Sequence, residues 1–335
     1  MLPAILGLSG ESLDDAERAF FCDVAPAGFI LFARNCGSRD QLRRLTDELR
    51  DVSGRADVPI LIDQEGGRVA RLQPPEWPAF PAAWRFAELY RKAPISAIEA
   101  ARVNAEAIAV TLADLGINVD CLPLLDVRQP GAHDIIGDRA LGDEPMQVAA
   151  LGRATLDGLE AGGVSGVVKH IPGHGRARAD SHVERPVVEA NEAALAADLA
   201  PFRALRDAPM AMAAHVLYAA WDPERPASVS PIVIEEIIRG RIGFDGLLMS
   251  DDIAMEALSG PSGERACAVI AAGCDLVLHC SGRLKDNVAI AKALGDIGNA
   301  ARKRLDDAMA RIAGKALSRD YDALAAKRDA LLAYA

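Results

Sequence analysis

Eight short apolar segments recur along this chain of 335 residues, and they restrict the folds that it can adopt. Glycine, proline or polar residues flank each segment, and most of the stretches between them have helical periodicity. Continuous apolar runs of this length are typical of parallel strands that are covered on both faces. The runs span residues 4–8, 28–33, 59–63, 118–124, 167–169, 210–216, 246–250 and 274–279.

The stretches between these runs carry the capping residues of helices. Ser38 with Gln41 and Ser96 with Glu99 have the spacing of a capping box. Pro145 suits the first position of a helix, where a backbone N–H is not needed. The order is therefore strand then helix, repeated eight times, which predicts an α/β fold with the architecture of a (β/α)₈ TIM-type barrel.

An open, doubly wound sheet is the alternative arrangement of such units. Its phosphate-binding loop usually follows the first strand, but residues 7–10 read Gly-Leu-Ser-Gly and do not form a G-x-G-x-x-G motif. The stretch 299–335 is rich in alanine and charged residues and has helical periodicity. We therefore expect one barrel domain over residues 1–335, with 299–335 as a helical extension packed outside it.

The charge balance limits the classes of partner. Acidic residues number 48 against 37 basic ones, which gives a formal net charge of −11. This excess disfavours nucleic acid and anionic membranes as partners. The apolar residues 1–8 are too few to span a bilayer and follow no basic segment, so we expect neither a signal peptide nor a membrane anchor, and a cytoplasmic location. The six cysteines lack C-x-x-C spacing and are interpreted as reduced.

Polar clusters follow the ends of four predicted strands, at 63–71, 169–175, His215 and 250–252. In a barrel these strand ends meet at one face, where active sites are built. The first cluster contains Gly66 and Gly67, which allow a sharp turn and the close approach of a ligand because neither has a Cβ atom.

Two consecutive carboxylates, Asp251 and Asp252, end the seventh predicted strand. On an extended segment their side chains point to opposite sides, so only one faces the barrel mouth directly. We expect Asp252 to cap the following helix. Asp251, at the end of a hydrophobic strand and partly removed from water, is a candidate nucleophile or general base.

Three histidines, His170, His174 and His182, lie within thirteen residues of one another together with Asp180. A proline and a glycine separate His170 from His174, so these two do not form a zinc-binding helix face, and we predict no metal site and no cofactor. Asp180 lies two residues from His182 and could fix its tautomer, which would make the pair a general acid and base. The alternative is a hydrated loop histidine without a catalytic role.

These motifs resemble those of the family 3 glycoside hydrolases, and in particular the bacterial β-N-acetylhexosaminidases of the NagZ type. The resemblance extends from residue 28 to residue 275. It implies a barrel enzyme that removes terminal N-acetylglucosamine from peptidoglycan-derived muropeptides, in which this sugar is linked to an anhydro-muramic unit. Its substrate would be a small glycan. Five ordered motifs carry the resemblance, at residues 63–69, 137–142, 169–175, 180–182 and 250–252.

The resemblance also implies roles for individual residues. Asp251 would be the nucleophile, forming a covalent glycosyl-enzyme with net retention of configuration. His182, oriented by Asp180, would protonate the leaving oxygen and then activate water, a role that most glycosidases give to a carboxylic acid. Five further residues would line the sugar pocket: Asp63, Arg71, Arg139, Lys169 and His170.

Three alternatives remain open from the sequence. A phosphorylase would use phosphate in place of water, because a histidine acid and base would not repel that anion. A substrate-assisted hydrolase would use the acetamido group of the sugar as the nucleophile. A non-catalytic sugar-binding barrel would keep the fold without the reaction. The sequence does not indicate an oligomeric state.

Overall fold

In the computed structural model, eight parallel strands close into a barrel, each pairing with its neighbours along the chain and the first pairing with the last. The structure describes residues 1–131, 133–177, 186–315 and 320–334. Every predicted apolar run overlaps one strand, which confirms the TIM-type barrel. The strands are β1 (Leu2–Gly7), β2 (Pro26–Leu31), β3 (Ile60–Ile62), β4 (Val119–Asp120), β5 (Ser165–Ile171), β6 (Met210–Ala213), β7 (Leu247–Asp252) and β8 (Leu276–His279).

The third strand illustrates why these runs are apolar at every position. Leu61 points into the barrel and joins the cluster that fills its interior, together with Ile5 and Met249. Its neighbours Ile60 and Ile62 point outward and join the larger cluster between the barrel and its helices. Because successive side chains alternate between two buried faces, a strand of this kind has no polar face.

Helices follow the strands and cover the outside of the barrel. Within the described ranges they are α1 (Asp15–Val24), α2 (Arg39–Ser53), α3 (Trp84–Lys92), α4 (Pro94–Asp114), α5 (Pro145–Ala161), α6 (Glu192–Ala204), α7 (Val233–Ile242), α8 (Ser262–Ala272), α9 (Leu284–Ala293), α10 (Asn299–Ala310) and α11 (Tyr321–Leu332). Helix α7 has the wider hydrogen-bonding pattern of a π-helix. None of the helices in these ranges has the length and apolar character needed to cross a bilayer.

Two of the three predicted helix starts are confirmed. Ser38 caps α2 in a reciprocal capping box with Gln41, and α5 begins at Pro145. The predicted capping box at Ser96 is wrong, because α4 begins two residues earlier at Pro94 and Ser96 lies in its first turn. Proline has its φ angle preset for the first helical position, so it begins the helix before the serine can cap it.

Strands β4 and β6 end well before their predicted runs do, and both end beside the cavity described below. In β4 the N–H of Leu122 turns back to the carbonyl of Asp120, and the next residue is a proline without an N–H to donate. In β6 the carbonyl of Ala214 accepts from the N–H of Ser228 instead of continuing the ladder. His215 therefore lies just beyond the strand.

The last two helices pack on the barrel in different places. Helix α10 crosses the amino-terminal end, where Arg304 pairs with Asp245 and Asp275 at 2.8 and 3.0 Å. Helix α11 packs on the outside against α4, with Tyr321 edge-on to Phe80. The amino-terminal end of the barrel is thus covered, and the carboxyl-terminal end is left to form a site.

Candidate active site

A cavity of about 250 Å³ opens at the carboxyl-terminal end of the barrel. It lies where the polar clusters were predicted to converge, and the barrel strands β2, β5, β6, β7 and β8 contribute to its wall. Six residues predicted for the site line this cavity: Asp63, Arg71, Arg139, Lys169, His170 and Asp251. The other two, Asp180 and His182, lie outside the described residues.

A tight hairpin after β3 brings Arg71 back beside Asp63. Its short strands, Gln64–Gly66 and Val69–Ala70, pair antiparallel, and Nη2 of Arg71 lies 2.8 Å from Oδ2 of Asp63. Gly66 has a φ of +91°, and a Cβ atom there would lie 2.5 Å from the carbonyl oxygen of Pro81. The glycine is therefore needed for the close approach of the protein's own backbone, which corrects the expectation that a ligand approaches it.

Opposite charges alternate through the floor of the cavity. Nζ of Lys169 lies 3.0 Å from Oδ1 of Asp63 and 2.6 Å from Oε1 of Glu65. The guanidinium of Arg139 forms a bidentate ion pair with the carboxylate of Glu65, with N···O distances of 2.9 and 2.8 Å. Lys169 is only 2% exposed, so its charge depends on these carboxylates for stabilisation. The network holds the side chains in fixed positions around the cavity.

The network keeps all its members ionised. Burial alone would raise the pKa of Asp63 and Glu65, but Lys169 and the two arginines outweigh it. The pKa of Glu65 falls to about 2, and that of Asp63 lies well below its usual range. Burial would lower the pKa of Lys169, yet the two carboxylates raise it above its ordinary value. These groups therefore carry fixed charges near neutral pH.

Asp251 is the second-last residue of the buried strand β7 and is 6% exposed. The N–H of Asp252 donates to its Oδ1 at 2.8 Å. Burial would raise the pKa of Asp251, but His170, His215, this hydrogen bond and Lys169 together hold it below its ordinary value. A desolvated carboxylate that stays ionised beside a cavity has the electronic requirements of a nucleophile.

Asp252 also borders the cavity, but its carboxylate is engaged by the backbone. Its Oδ1 accepts from the N–H groups of Ala254 and Cys280, both at 3.0 Å. The expectation that it caps the next helix is wrong, because turns follow β7 and α8 begins only at Ser262. Asp252 instead ties the end of β7 to the end of β8.

Glu65, Asp126 and His174 are not among the site residues that the sequence predicted. Glu65 and His174 line the cavity, and Asp126 is buried behind His170, with which it forms a hydrogen bond. Asp126 closely follows the fourth apolar run, just as Asp251 follows the seventh, so its position was a usable signal. In the described ranges no group of three or more metal-ligating side chains has the geometry of a metal site.

Comparison with known proteins identifies the family. Residues 7–314 match the model of the glycosyl hydrolase family 3 N terminal domain. The chain belongs to this family. It is 38% identical over 284 residues to the beta-hexosaminidase of Aromatoleum aromaticum, covering 83% of this chain and 79% of that protein. It is 39% identical over 284 residues to the beta-hexosaminidase of Alkalilimnicola ehrlichii, covering 83% and 80%.

The fold of this glycoside hydrolase is similar to that of solved family members. NagZ from Neisseria gonorrhoeae, in complex with N-trifluoroacetyl-D-glucosamine, superposes with a TM-score of 0.88 at 31% identity. The match covers 99% of this chain and 97% of that one. The predicted resemblance is thus confirmed: the protein is a family 3 glycoside hydrolase of the β-hexosaminidase type.

Proposed function

We propose that the protein is a retaining exo-β-N-acetylglucosaminidase that removes terminal N-acetylglucosamine from peptidoglycan-derived muropeptides in the cytoplasm. The observation that carries the proposal is the location of Asp251, buried and ionised, in the same cavity as the five residues proposed to hold the sugar. In this proposal the whole of residues 1–335 is one catalytic domain.

The size and polarity of the cavity support a single sugar as its occupant. At about 250 Å³ it lies below the range of about 300–1,000 Å³ that is typical of sites for drug-sized ligands. Its charged side chains offer directed donors and acceptors to hydroxyl and acetamido groups. A bound N-acylated glucosamine in the gonococcal NagZ relative supports an N-acetylated hexosamine here. Asp63, Arg71, Arg139, Lys169 and His170 would bind it.

Asp251 would attack the anomeric carbon and form a covalent glycosyl-enzyme while the bond to the leaving oxygen breaks. Water would then displace Asp251 from the same carbon, and the two inversions would give net retention. Dividing one difficult displacement into two steps is the benefit of covalent catalysis. The fixed position of Asp251 at a strand end supports an attack with little reorganisation.

The acid that protonates the leaving group is proposed to be His182, oriented by Asp180. The pKa values of Asp63, Glu65 and Asp251 are all held below their ordinary values, so these carboxylates have no proton to donate near neutral pH. The carboxylate of Asp252 is engaged by backbone N–H groups. An imidazole is therefore the better candidate for the acid and base.

Hydrolysis of a chromogenic N-acetyl-β-glucosaminide by the purified protein is the first test. Asp251→Asn and Asp251→Ala should lower kcat by at least about 10³-fold, because the nucleophile acts only in the reaction steps. Asp252→Asn, which keeps the Oδ1 acceptor, is the adjacent control and should lose far less. A fluorinated sugar should label Asp251 covalently, as seen by peptide mass. An active Asp251→Ala enzyme would contradict the mechanism and favour attack by the acetamido group.

Leaving-group dependence tests the acid. His182→Ala should slow substrates with poor leaving groups much more than activated ones, because an activated leaving group needs less proton donation. His170→Gln should affect both substrate classes equally if His170 only binds the sugar. Equal effects for His182→Ala would reject it as the acid.

Product analysis tests two points: whether water or phosphate accepts the sugar, and which glycan is the substrate. Free N-acetylglucosamine, formed at the same rate with and without added phosphate, is expected for a hydrolase. The sugar 1-phosphate as the main product would instead identify a phosphorylase. Release of N-acetylglucosamine from its disaccharide with anhydro-muramic acid, with higher kcat/KM than from the chromogenic substrate, is expected if muropeptides are the substrate. Lack of turnover of either substrate would favour a sugar-binding barrel.

A further inference from the structure

A fully buried carboxylate, Asp126, lies behind the cavity and outside its wall. It follows β4, where the chain continues alongside the end of β5. The N–H of Leu125 donates to the carbonyl of Lys169 at 2.7 Å, and Leu124 forms a bridge with Lys169. This pairing brings the next residue, Asp126, against the backbone and the ring of His170.

The carboxylate of Asp126 accepts hydrogen bonds from two histidines. Oδ2 lies 2.8 Å from Nδ1 of His170, and Oδ1 accepts from the N–H of His174 at 2.6 Å. The N–H of His170 adds a weaker contact at 3.3 Å. Burial alone would raise the pKa of Asp126, but its contacts with His170 and His174 hold it below its ordinary value. It is therefore an anion that can only accept.

The contact with His170 determines which ring nitrogen carries hydrogen. A bare Nδ1 would place its lone pair against the lone pairs of Oδ2 at 2.8 Å, which is repulsive. Nδ1 must therefore carry the hydrogen, and in the neutral ring Nε2 carries the lone pair. Among the described residues Nε2 makes no hydrogen bond, and the ring of His170 lines the cavity.

We propose that Asp126 is a positioning residue that holds His170 in the Nδ1–H tautomer, so that Nε2 accepts a hydrogen bond from a hydroxyl of the bound sugar. The sugar contact rests on the function proposed above, whereas the tautomer follows from the hydrogen bonds alone. Lys169, Arg71 and Arg139 present donors in the cavity, and Asp63 and Glu65 already pair with these cations. A neutral nitrogen acceptor complements them.

His174 makes the arrangement rigid. Its ring lies in edge contact with that of His170, with centroids 5.5 Å apart, and its backbone binds the same carboxylate. Burial lowers the pKa of His174 to about 4, so it adds no positive charge near neutral pH. One carboxylate thus sets both the orientation of His170 and the position of the turn that follows it.

The first test is the tautomer of His170 in the intact protein. The chain has six histidines, so selective ¹⁵N-histidine labelling gives few ring signals, and His170→Gln assigns those of His170. Long-range ¹H–¹⁵N spectra over a pH series should place Nδ1 in the protonated range and Nε2 in the unprotonated range of the neutral ring. A neutral ring with hydrogen on Nε2 would overturn the proposal, and this result needs no change at Asp126.

Asp126→Asn is the sharper variant. Asparagine can keep Oδ1 as the acceptor for the N–H of His174 while its NH₂ group replaces Oδ2. A donor beside Nδ1 should switch His170 to the Nε2–H tautomer, as asparagine does beside the histidine of a protease triad. The matched control is Asp222→Asn, which neutralises another buried, multiply hydrogen-bonded carboxylate and should leave the His170 signals unchanged. A folded Asp126→Asn protein with an unchanged tautomer would contradict the proposal.

Kinetics test the sugar contact. With the chromogenic substrate, Asp126→Asn should lower kcat/KM by about 10- to 100-fold, the effect expected for a lost buried hydrogen bond. The same change in a His170→Gln background should cost little more, because Asp126 would act through His170. If the loss of kcat/KM in the double variant equals the product of the two single losses, the proposed sugar contact is wrong. A wild-type enzyme without activity would refute the proposed function, and the tautomer measurement would still decide the role of Asp126.

Discussion

The ammonium group of Lys169 lies 2.6 Å from Oε1 of Glu65, with both side chains almost completely removed from water. The two residues are 104 positions apart in the sequence and come from the loop after β3 and from β5. Neither charge has enough water around it to be stable alone, so each depends on the other. This contact joins two motifs into one site.

Glu65→Gln should therefore destabilise the protein strongly. The change keeps the shape but leaves Lys169 and Arg139 with less negative charge, and breaking a buried pair costs about 3–5 kcal/mol. The free energy of unfolding, measured with urea, should fall by this amount. Asp143→Asn, which breaks the half-exposed pair with Arg91, is the control and should cost less than about 1 kcal/mol. Equal effects of the two changes would contradict the importance of burial.

The burial of Asp120 should make the free energy of unfolding decrease as pH rises. Its Oδ2 is buried and has no partner among the described residues, and burial raises its pKa to about 7. In the unfolded chain this pKa is about 4. The folded state therefore binds the extra proton between about pH 4 and 7, and the contribution of Asp120 to stability is lost as pH rises through that window.

Asp120→Asn removes this titration while keeping the oxygen that accepts from Gln64. The difference in unfolding free energy, variant minus wild type, should increase by a few kcal/mol from low to neutral pH. Comparing the two proteins at each pH cancels the other titrating groups, including Asp63 and Glu65, whose shifts have the opposite sign. A difference that does not vary with pH would show that folding does not shift the pKa of Asp120.

Gly175→Ala should disturb the site through the backbone. A Cβ atom at residue 175 would lie 2.0 Å from the carbonyl oxygen of Val127, the residue after Asp126. Relief of this clash should cost about 1–3 kcal/mol of stability and also lower kcat/KM. Gly10→Ala is the control, because no atom lies within 4 Å of the added methyl group. Wild-type thermal stability and kinetics in Gly175→Ala would contradict the close packing of these two loops.

His215 should hold the backbone next to Asp251 in place. Its Nε2–H donates to the carbonyl of Asp252 at 3.0 Å, and the hydroxyl of Ser228 donates to Nδ1 at 2.6 Å. His215→Phe leaves two buried polar groups without partners, which should cost about 1–3 kcal/mol for each. Because the peptide after Asp252, next to the proposed nucleophile, loses its anchor, kcat should fall more than KM changes.

The control for this variant is His279→Phe. His279 is also buried and contacts Asn287 and Ser281 through its two ring nitrogens, but its bonds do not reach Asp251 or Asp252. The His279→Phe variant should be less stable than the wild type but should retain its kcat. A similar fall of kcat in both variants would indicate general loosening of the barrel.

Several features of the site could be predicted from local patterns. The position of Asp251 after an apolar strand and the turn at Gly66 and Gly67 depend on neighbouring residues, and both were found where expected. The role of Gly66 was predicted incorrectly, because the group that approaches it is the carbonyl of Pro81, fifteen residues away. A local pattern contains no information about that distant group.

The sequence by itself determined the barrel, because an apolar run buried on two faces and followed by a helix leaves few other ways to remove its surface from water. It also indicated that the ends of β3, β5 and β7 carry polar side chains, and these three ends line the cavity. Only the tertiary structure decided the pairing of Lys169 with Glu65 and the contact of Asp126 with two histidines. It also decided the burial of Oδ2 of Asp120, which has no partner in the part of the chain that the structure describes. Ionisation and tautomer depend on charges within a few ångströms in space, and barrel closure brings those charges together from distant parts of the chain.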